Sequence, residues 1–171
     1  MPCIIRRWIY TRPASRFMSK GKVMYKPVLW EMKHIIINLI YENNRWVGMI
    51  LCWETEEFIY IEHFCILPEM RGKKYGQKAL ELLGGERKTV ILEIAPPIDD
   101  VSVRRKRFYE RSGYQANRFA HVHPPYKKGF KGHDLVVMSS PDQLSEAEYR
   151  AFNSYLSSVV MKRCLITKSS Y

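Results

Sequence analysis

Residues 58–80 read "FIYIEHFCILPEMRGKKYGQKAL", and the order of signals in them sets the architecture. The apolar run from Phe58 to Leu67 is too long and too continuously hydrophobic for an exposed strand. It reads as a central strand covered on both faces. Pro68 has no N–H to give to a ladder and ends the run. Tyr75, Ala79, Leu80 and Leu83 then recur at helical spacing, and Gly84-Gly85 supply the stop. A strand, a short glycine-containing turn and a helix make an anion site in principle. The first N–H groups of the helix lack intrahelical partners, and the helix dipole favours negative charge there. Gly72 and Gly76 let the backbone approach a ligand, and Arg71, Lys73 and Lys74 add positive field. Alone, the turn is explained as well by a solvated basic surface, because short glycine motifs are weakly specific. It is neither G-x-x-x-x-G-K-[ST] nor G-x-G-x-x-G.

On the N-terminal side, Ile4–Tyr10 reads as a first strand, followed by the basic segment "TRPASRFMSKGK". "HIIINLIYENNRWVGMILCWE" reads as two strands around an Asn43-Asn44 turn. On the C-terminal side, Thr89–Ala95 is another buried strand, closed by Pro96-Pro97. Asp99 or Asp100 caps a second helix whose face includes Val101, Phe108, Tyr109 and Ser112, and Gly113 ends it. Gln115–Val122 and Asp134–Ser139 are expected as two strands around "HPPYKKGFKGH". Ser145 and Glu148 stand in capping-box spacing at the head of a C-terminal helix, residues 145–163. Its apolar face, Phe152, Tyr155, Leu156 and Val159, would dock onto the sheet or onto a second subunit. This order predicts an α/β (α+β) fold with a mixed central sheet, its middle strands parallel through a helical crossover. No repeat or linker divides the 171 residues, which suit a single domain.

An apolar fraction of 46% excludes a disordered polyelectrolyte, and a net charge of +11 predicts attraction to an anion. The basic residues are spread along the chain, so the charge does not separate nucleic acid from a phosphorylated small molecule. No apolar run is long enough to cross a bilayer, and the first residues lack a signal-peptide core, so a cytoplasmic protein is expected. Cys3, Cys52, Cys65 and Cys164 lack CxxC spacing, which suggests neither a disulfide scaffold nor zinc. His121 and His123 point to one face of a strand, but no third metal ligand stands at useful spacing. His123 then reads as lining a substrate cleft, overhung by Tyr126. A Cys65–His63 nucleophile pair fails because both sit on one strand without a separate orienting base, and Cys65 reads as core.

Two further residues carry chemistry. Glu62 lies inside the apolar strand, where an unpaired carboxylate is costly and burial would raise its pKa toward that of a useful base. The plainer alternative is a salt bridge to an arginine. Tyr109 lies near the end of the second helix beside Phe108, and its plainer reading is a core tyrosine.

"IEHFCILPEMRGKKYGQKAL" together with "RRKRFYERSGY" resembles the GNAT acyltransferase superfamily. "YIEHFCILPEMRG", "EIAPP", "RFYERSGY" and "HPPY" resemble a bacterial subgroup of it. The resemblance covers Trp46–Ser139 well and residues 1–45 poorly. It implies an acetyl-CoA-dependent N-acetyltransferase, with acetyl-CoA as co-substrate, no metal, and a small-molecule or peptide amine as acceptor. By that resemblance, backbone groups of Phe64, Cys65 and Ile66 pair with the pantetheine arm. The N–H groups of Arg71, Gly72, Lys73, Lys74, Tyr75, Gly76 and Gln77 cradle the pyrophosphate. Glu62 matches the strand position of a general base, and Tyr109 the tyrosine that protonates the leaving thiolate. The family's loop is written R/Q-x-x-G-x-G/A, and Lys74 stands where its first glycine belongs. The alternatives are a basic nucleic-acid-binding module and a non-catalytic CoA-binding protein. Nucleic acid is the less favoured partner, no membrane association is expected, and the chain is a monomer or homodimer.

Overall fold

The computed structural model describes residues 23–29, 35–84, 88–126 and 129–162. The expected first strand, the basic segment after it, Cys3 and Cys164 lie outside the described residues. The chain divides into two compact units, Met1–Leu83 and Gly84–Tyr171.

The first unit is an antiparallel meander of β1 (Val23–Leu29), β2 (Ile35–Glu42), β3 (Arg45–Glu54) and β4 (Phe58–Ile66). A 3-10 turn at Pro68–Met70 leads into α1 (Tyr75–Gly84). Asn43 and Asn44 have φ of 48° and 63°, the left-handed pair that a two-residue hairpin turn requires. Thr55 organises the next turn, its Oγ1 accepting the Glu57 and Phe58 N–H groups at 3.2 and 3.0 Å. Val47, Ile50, Cys52, Trp53, Ile59, Tyr60 and Ile61 are buried here. In β4 only Phe58–Ile61 is buried throughout. His63 is exposed and Phe64, Cys65 and Ile66 are half-buried, which corrects the expectation of a strand covered along its length and of a core Cys65. Apolar sequence reports what a strand could bury, not what is laid over it. Opposite Ile66 stands Gly48, which brings no side chain.

The second unit comprises β5 (Thr89–Ile94), α2 (Asp100–Arg111), β6 (Gln115–Ala116), β7 (His121–His123), β8 (His133–Ser140) and α3 (Glu146–Tyr155). β8 is its hub, antiparallel to β5, β6 and β7. The expected single strand over Gln115–Val122 is split in two. Between the halves Asn117 donates its side-chain amide to Ser139 Oγ at 2.9 Å and accepts the Leu144 N–H at 2.7 Å. A buried amide satisfied by these bonds fixes a corner that strand periodicity does not report.

Asp99 caps α2, accepting the Val101 and Ser102 N–H groups, both at 2.8 Å. Ser102 completes the capping box and is buried, whereas Val101, expected on the buried face, is exposed. Those hydrogen bonds hold the Asp99 carboxyl below its usual range, the Ser102 N–H first and the Ser102 hydroxyl next. A depressed pKa means stability that is present at neutral pH and lost as the pH falls below the unfolded value. Asp99→Ala should therefore lower the melting temperature at pH 7, and by much less near pH 3. Equal losses at both pH values would remove the charge from the argument.

Ser145 and Glu148 form the expected capping box on α3. The helix continues as a π turn over Leu156–Val160, and the buried seam is Phe152, Leu156 and Val160, with Val159 only half-buried. Phe152, Leu156 and Val160 stand four residues apart, so the seam takes the i+4 neighbour of Leu156 in place of Val159.

Candidate functional site

The turn after β4 is built by short-range hydrogen bonds. The Met70 N–H donates to Leu67 O at 2.9 Å, the Arg71 N–H to Pro68 O at 3.2 Å, and Arg71 Nε to Ile66 O at 3.2 Å. Gly72 follows at φ +75° and Lys74 at φ +61°. Lys74 thus keeps the left-handed backbone that glycine would adopt without strain, at a cost of about 1–2 kcal/mol for an L-residue. The first intrahelical bond of α1 is Lys78 N–H to Lys74 O, 3.1 Å. Tyr75, Gly76 and Gln77 lie in the first turn, where N–H groups have no intrahelical acceptor. No acidic residue lies in that turn, and Arg71, Lys73 and Lys74 are exposed beside it. These donors and cations suit an anion. The Arg71 N–H closes the turn, so the run of available donors begins at Gly72. Lys74→Gly should relieve the strain and raise stability by about 1 kcal/mol, less the backbone entropy that glycine loses on folding. A lower denaturation midpoint would show that the lysine side chain outweighs its backbone.

Gly48 explains the geometry of the strand before the turn. A Cβ at this position would sit 2.2 Å from the Cys65 carbonyl oxygen, so β3 and β4 approach here as only glycine permits. Gly48→Ala should displace the Cys65 carbonyl and cost about 1–3 kcal/mol, the range for overpacking. Urea denaturation checks this, and an unchanged midpoint would mean that the strands part without cost.

Glu62 is the extra residue of a β-bulge: Leu51 faces His63 while Cys52 faces Ile61. A bulge re-aims the side chain it carries. The Glu62 side chain is 8% exposed, Oε2 accepts the Trp53 indole N–H at 2.6 Å, and Oε1 lies 3.6 Å from His63 Nε2. Among the described residues its partners are therefore an indole and an imidazole, and none is the arginine of the plainer alternative.

In the second unit, Tyr109 packs edge-on to Phe108 and Tyr114, with ring centroids 5.1 and 5.8 Å away. Burial pushes its phenol up to about 12, against a small opposing effect of Arg105. At neutral pH it is a protonated group able to donate. His123 is buried beneath Tyr126, their rings stacked at 4.9 Å, and Tyr126 is exposed. The sequence reading missed what holds these residues. Glu93, on β5, is a second carboxylate inside an apolar strand, its side chain 5% exposed. It makes a short hydrogen bond to His121 Nε2 and lies 3.8 Å from His123 Nε2. His121 Nδ1 meets the Tyr149 hydroxyl at 3.0 Å, and Tyr149 stacks on Phe119. "TVILEIA" carried the same signal as "FIYIEHF", one acid in an apolar run. Among the described residues, no group of three or more His, Cys, Asp or Glu side chains is arranged to hold a metal ion. No helix among them is long and apolar enough to cross a membrane.

Residues 33–116 match the family profile described as an acetyltransferase (GNAT) domain. No curated relative matches. Among solved structures, a protein from Bacteroides thetaiotaomicron assigned to the GNAT acetyltransferase family superposes with a TM-score of 0.71 at 28% identity, covering 77% of this chain and 75% of that one. A GNAT family acetyltransferase from Elizabethkingia anophelis, with acetyl-CoA bound, has a TM-score of 0.51 at 11% identity, covering 70% and 98%. The ribosomal-protein-S18-alanine N-acetyltransferase from Escherichia coli has a TM-score of 0.50 at 15% identity, covering 67% and 74%. The latter two show likeness of fold.

Proposed function

Because this chain carries a GNAT acetyltransferase domain over residues 33–116, we propose that it moves an acetyl group from acetyl-CoA to a primary amine of a small molecule or peptide. The observation that carries this reading is the turn into α1. Lys74 holds a left-handed conformation at the position of the family's first glycine, and a helix start with no acid in its first turn follows. Gly72 through Gln77 would hold the pyrophosphate with their N–H groups, and the Arg71 guanidinium would add charge. The backbone of Phe64, Cys65 and Ile66 would pair with the pantetheine arm, with one strand N–H stabilising the oxyanion of the attacked thioester.

An alkylammonium is not a nucleophile, so the chain must remove a proton from it. Glu62 would do so, directly or through water, with the Trp53 N–H fixing one carboxylate oxygen and leaving the other to take the proton. Tyr109 would donate its phenolic proton to the departing sulfur. His123 and Tyr126 would line the acceptor's side.

Thermal unfolding with acetyl-CoA tests the donor. At about a hundred times Kd, a ligand that binds only the folded state adds about 2.7 kcal/mol. For a chain of this size that is a rise of about 5–10 °C. No shift at millimolar acetyl-CoA would reject the reading. Release of free thiol that depends on added amine tests the transfer, and release without amine would point to a thioesterase.

A further inference from the structure

The basic residues are spread along the sequence, but one helix of the second unit gathers several of them. α2 reads "DVSVRRKRFYER", five cations and two acids. Arg104, Arg107 and Arg111 are exposed, and at about 100° per residue they fall within about 60° of arc on one face. At a rise of about 1.5 Å per residue the row is about 10 Å long. On the other side of the helix Ser102 is buried and Lys106 and Tyr109 are half-buried.

A solvated helix face commonly sets an acid three or four residues from each base. Here Asp99 is occupied by the cap, and Glu110, three residues after Arg107, pairs with Lys106. Asp100 stands four residues before Arg104 and forms no ion pair with it. Among the described residues none of the three guanidiniums has an ion-pair partner. Like charges at i,i+3 and i,i+4 repel and weaken a helix. An anion laid along the row removes that repulsion.

We propose that this row binds the phosphate backbone of a nucleic-acid duplex. Its length favours a polyanion over a single ion, since about 10 Å spans about three successive phosphates of one strand at about 3.4 Å each. Arginine suits this task, because its planar fork gives two N–H donors to one phosphate. α2 offers no exposed aromatic ring, Phe108 and Tyr109 being half-buried, so it lacks the stacking platform that single strands use. Phosphate contacts carry no sequence information, and the binding is therefore independent of sequence. This inference goes beyond the acyltransferase reading and does not depend on it.

Fluorescence anisotropy on the full chain tests it, with a short mixed-sequence RNA duplex and with the DNA duplex of the same sequence. Neutralising three phosphates gives a log–log salt slope of about −2.7, so the row alone should lower wild-type affinity about 40-fold between about 50 and 200 mM KCl. Each of Arg104→Gln, Arg107→Gln and Arg111→Gln should make the slope shallower by about one, alike for every sequence. The triple variant should lose that 40-fold dependence. Arg150→Gln removes the same charge from α3, where Arg150 is exposed and pairs with Glu146 at 3.2 Å, and should leave the slope unchanged. The triple variant relieves repulsion and should melt no lower than wild type; if it melts lower, the three single variants carry the comparison. Tighter binding of either duplex supports the row and names the nucleic acid it prefers. No binding by the wild-type chain, or an equal loss in Arg150→Gln, overturns the proposal. Displacement of the duplex by acetyl-CoA also overturns it, because the row would then serve the cofactor's phosphates. So does binding to phosphatidylserine vesicles that the triple variant loses while it keeps the duplex.

Discussion

Glu62→Gln should lower amine-dependent release of free thiol by about 10²–10⁴-fold, the usual effect of losing a positioned general base. The substitution is nearly isosteric, and the glutamine carbonyl oxygen can still accept the Trp53 indole N–H that Glu62 accepts at 2.6 Å. The bulge that aims the side chain is a property of the β3–β4 register, which the change does not touch. What disappears is the capacity to take a proton at the second oxygen. The acetyl-CoA shift in melting temperature should therefore survive, because the turn into α1 and the backbone of Phe64, Cys65 and Ile66 are unaltered. Trp53→Phe should give the complementary result: carboxylate kept, orientation lost, and a smaller decrease in kcat. Turnover of Glu62→Gln within about threefold of wild type would remove Glu62 from the role of base.

The features legible in the sequence were those set by local rules. The Asn43-Asn44 hairpin, the cap at Asp99 and the box at Ser145–Glu148 follow from backbone chemistry within a few residues. The strand, turn and helix around Lys74 were legible in outline, and the structure shows Lys74 at φ +61° within the turn. Features set across strands were not legible. Nothing in "FIYIEHF" says that Glu62 is an unpaired bulge residue, because that depends on how Leu51 and Cys52 register against it. Nor does Gly48 announce that it stands where a Cβ would strike Cys65. Glu93 is the instructive omission. Its apolar setting matched that of Glu62, yet no glycine turn followed it to raise suspicion. Its partner His121 lies 28 residues away, and Tyr149, which meets His121, a further 28.

Tyr109→Phe should separate two properties of one hydroxyl. Near neutral pH the phenol is protonated, and its loss should lower turnover by about 10²–10⁴-fold if it protonates the departing sulfur. Phenylalanine keeps the ring, and with it the edge-on packing against Phe108 and Tyr114. Turnover within about threefold of wild type would make Tyr109 a core tyrosine and nothing more. The second property is alkaline stability. Burial raises the phenol from 10.0 to about 12. A group whose folded pKa is raised contributes stability that is fully present below its unfolded value and lost as the pH climbs through the folded one. Two units correspond to roughly 3 kcal/mol, so the wild-type chain should lose about that much through Tyr109 between about pH 10 and pH 12. Other groups titrate in the same window, but they are common to both proteins, so the difference in urea midpoints isolates this one. The wild-type advantage over Tyr109→Phe, or deficit, should be constant below about pH 9 and shift against wild type above about pH 10. A difference that stays flat to pH 12 would mean that the hydroxyl reaches water, and a solvated phenol would be a poorer fit to the proton-donor role.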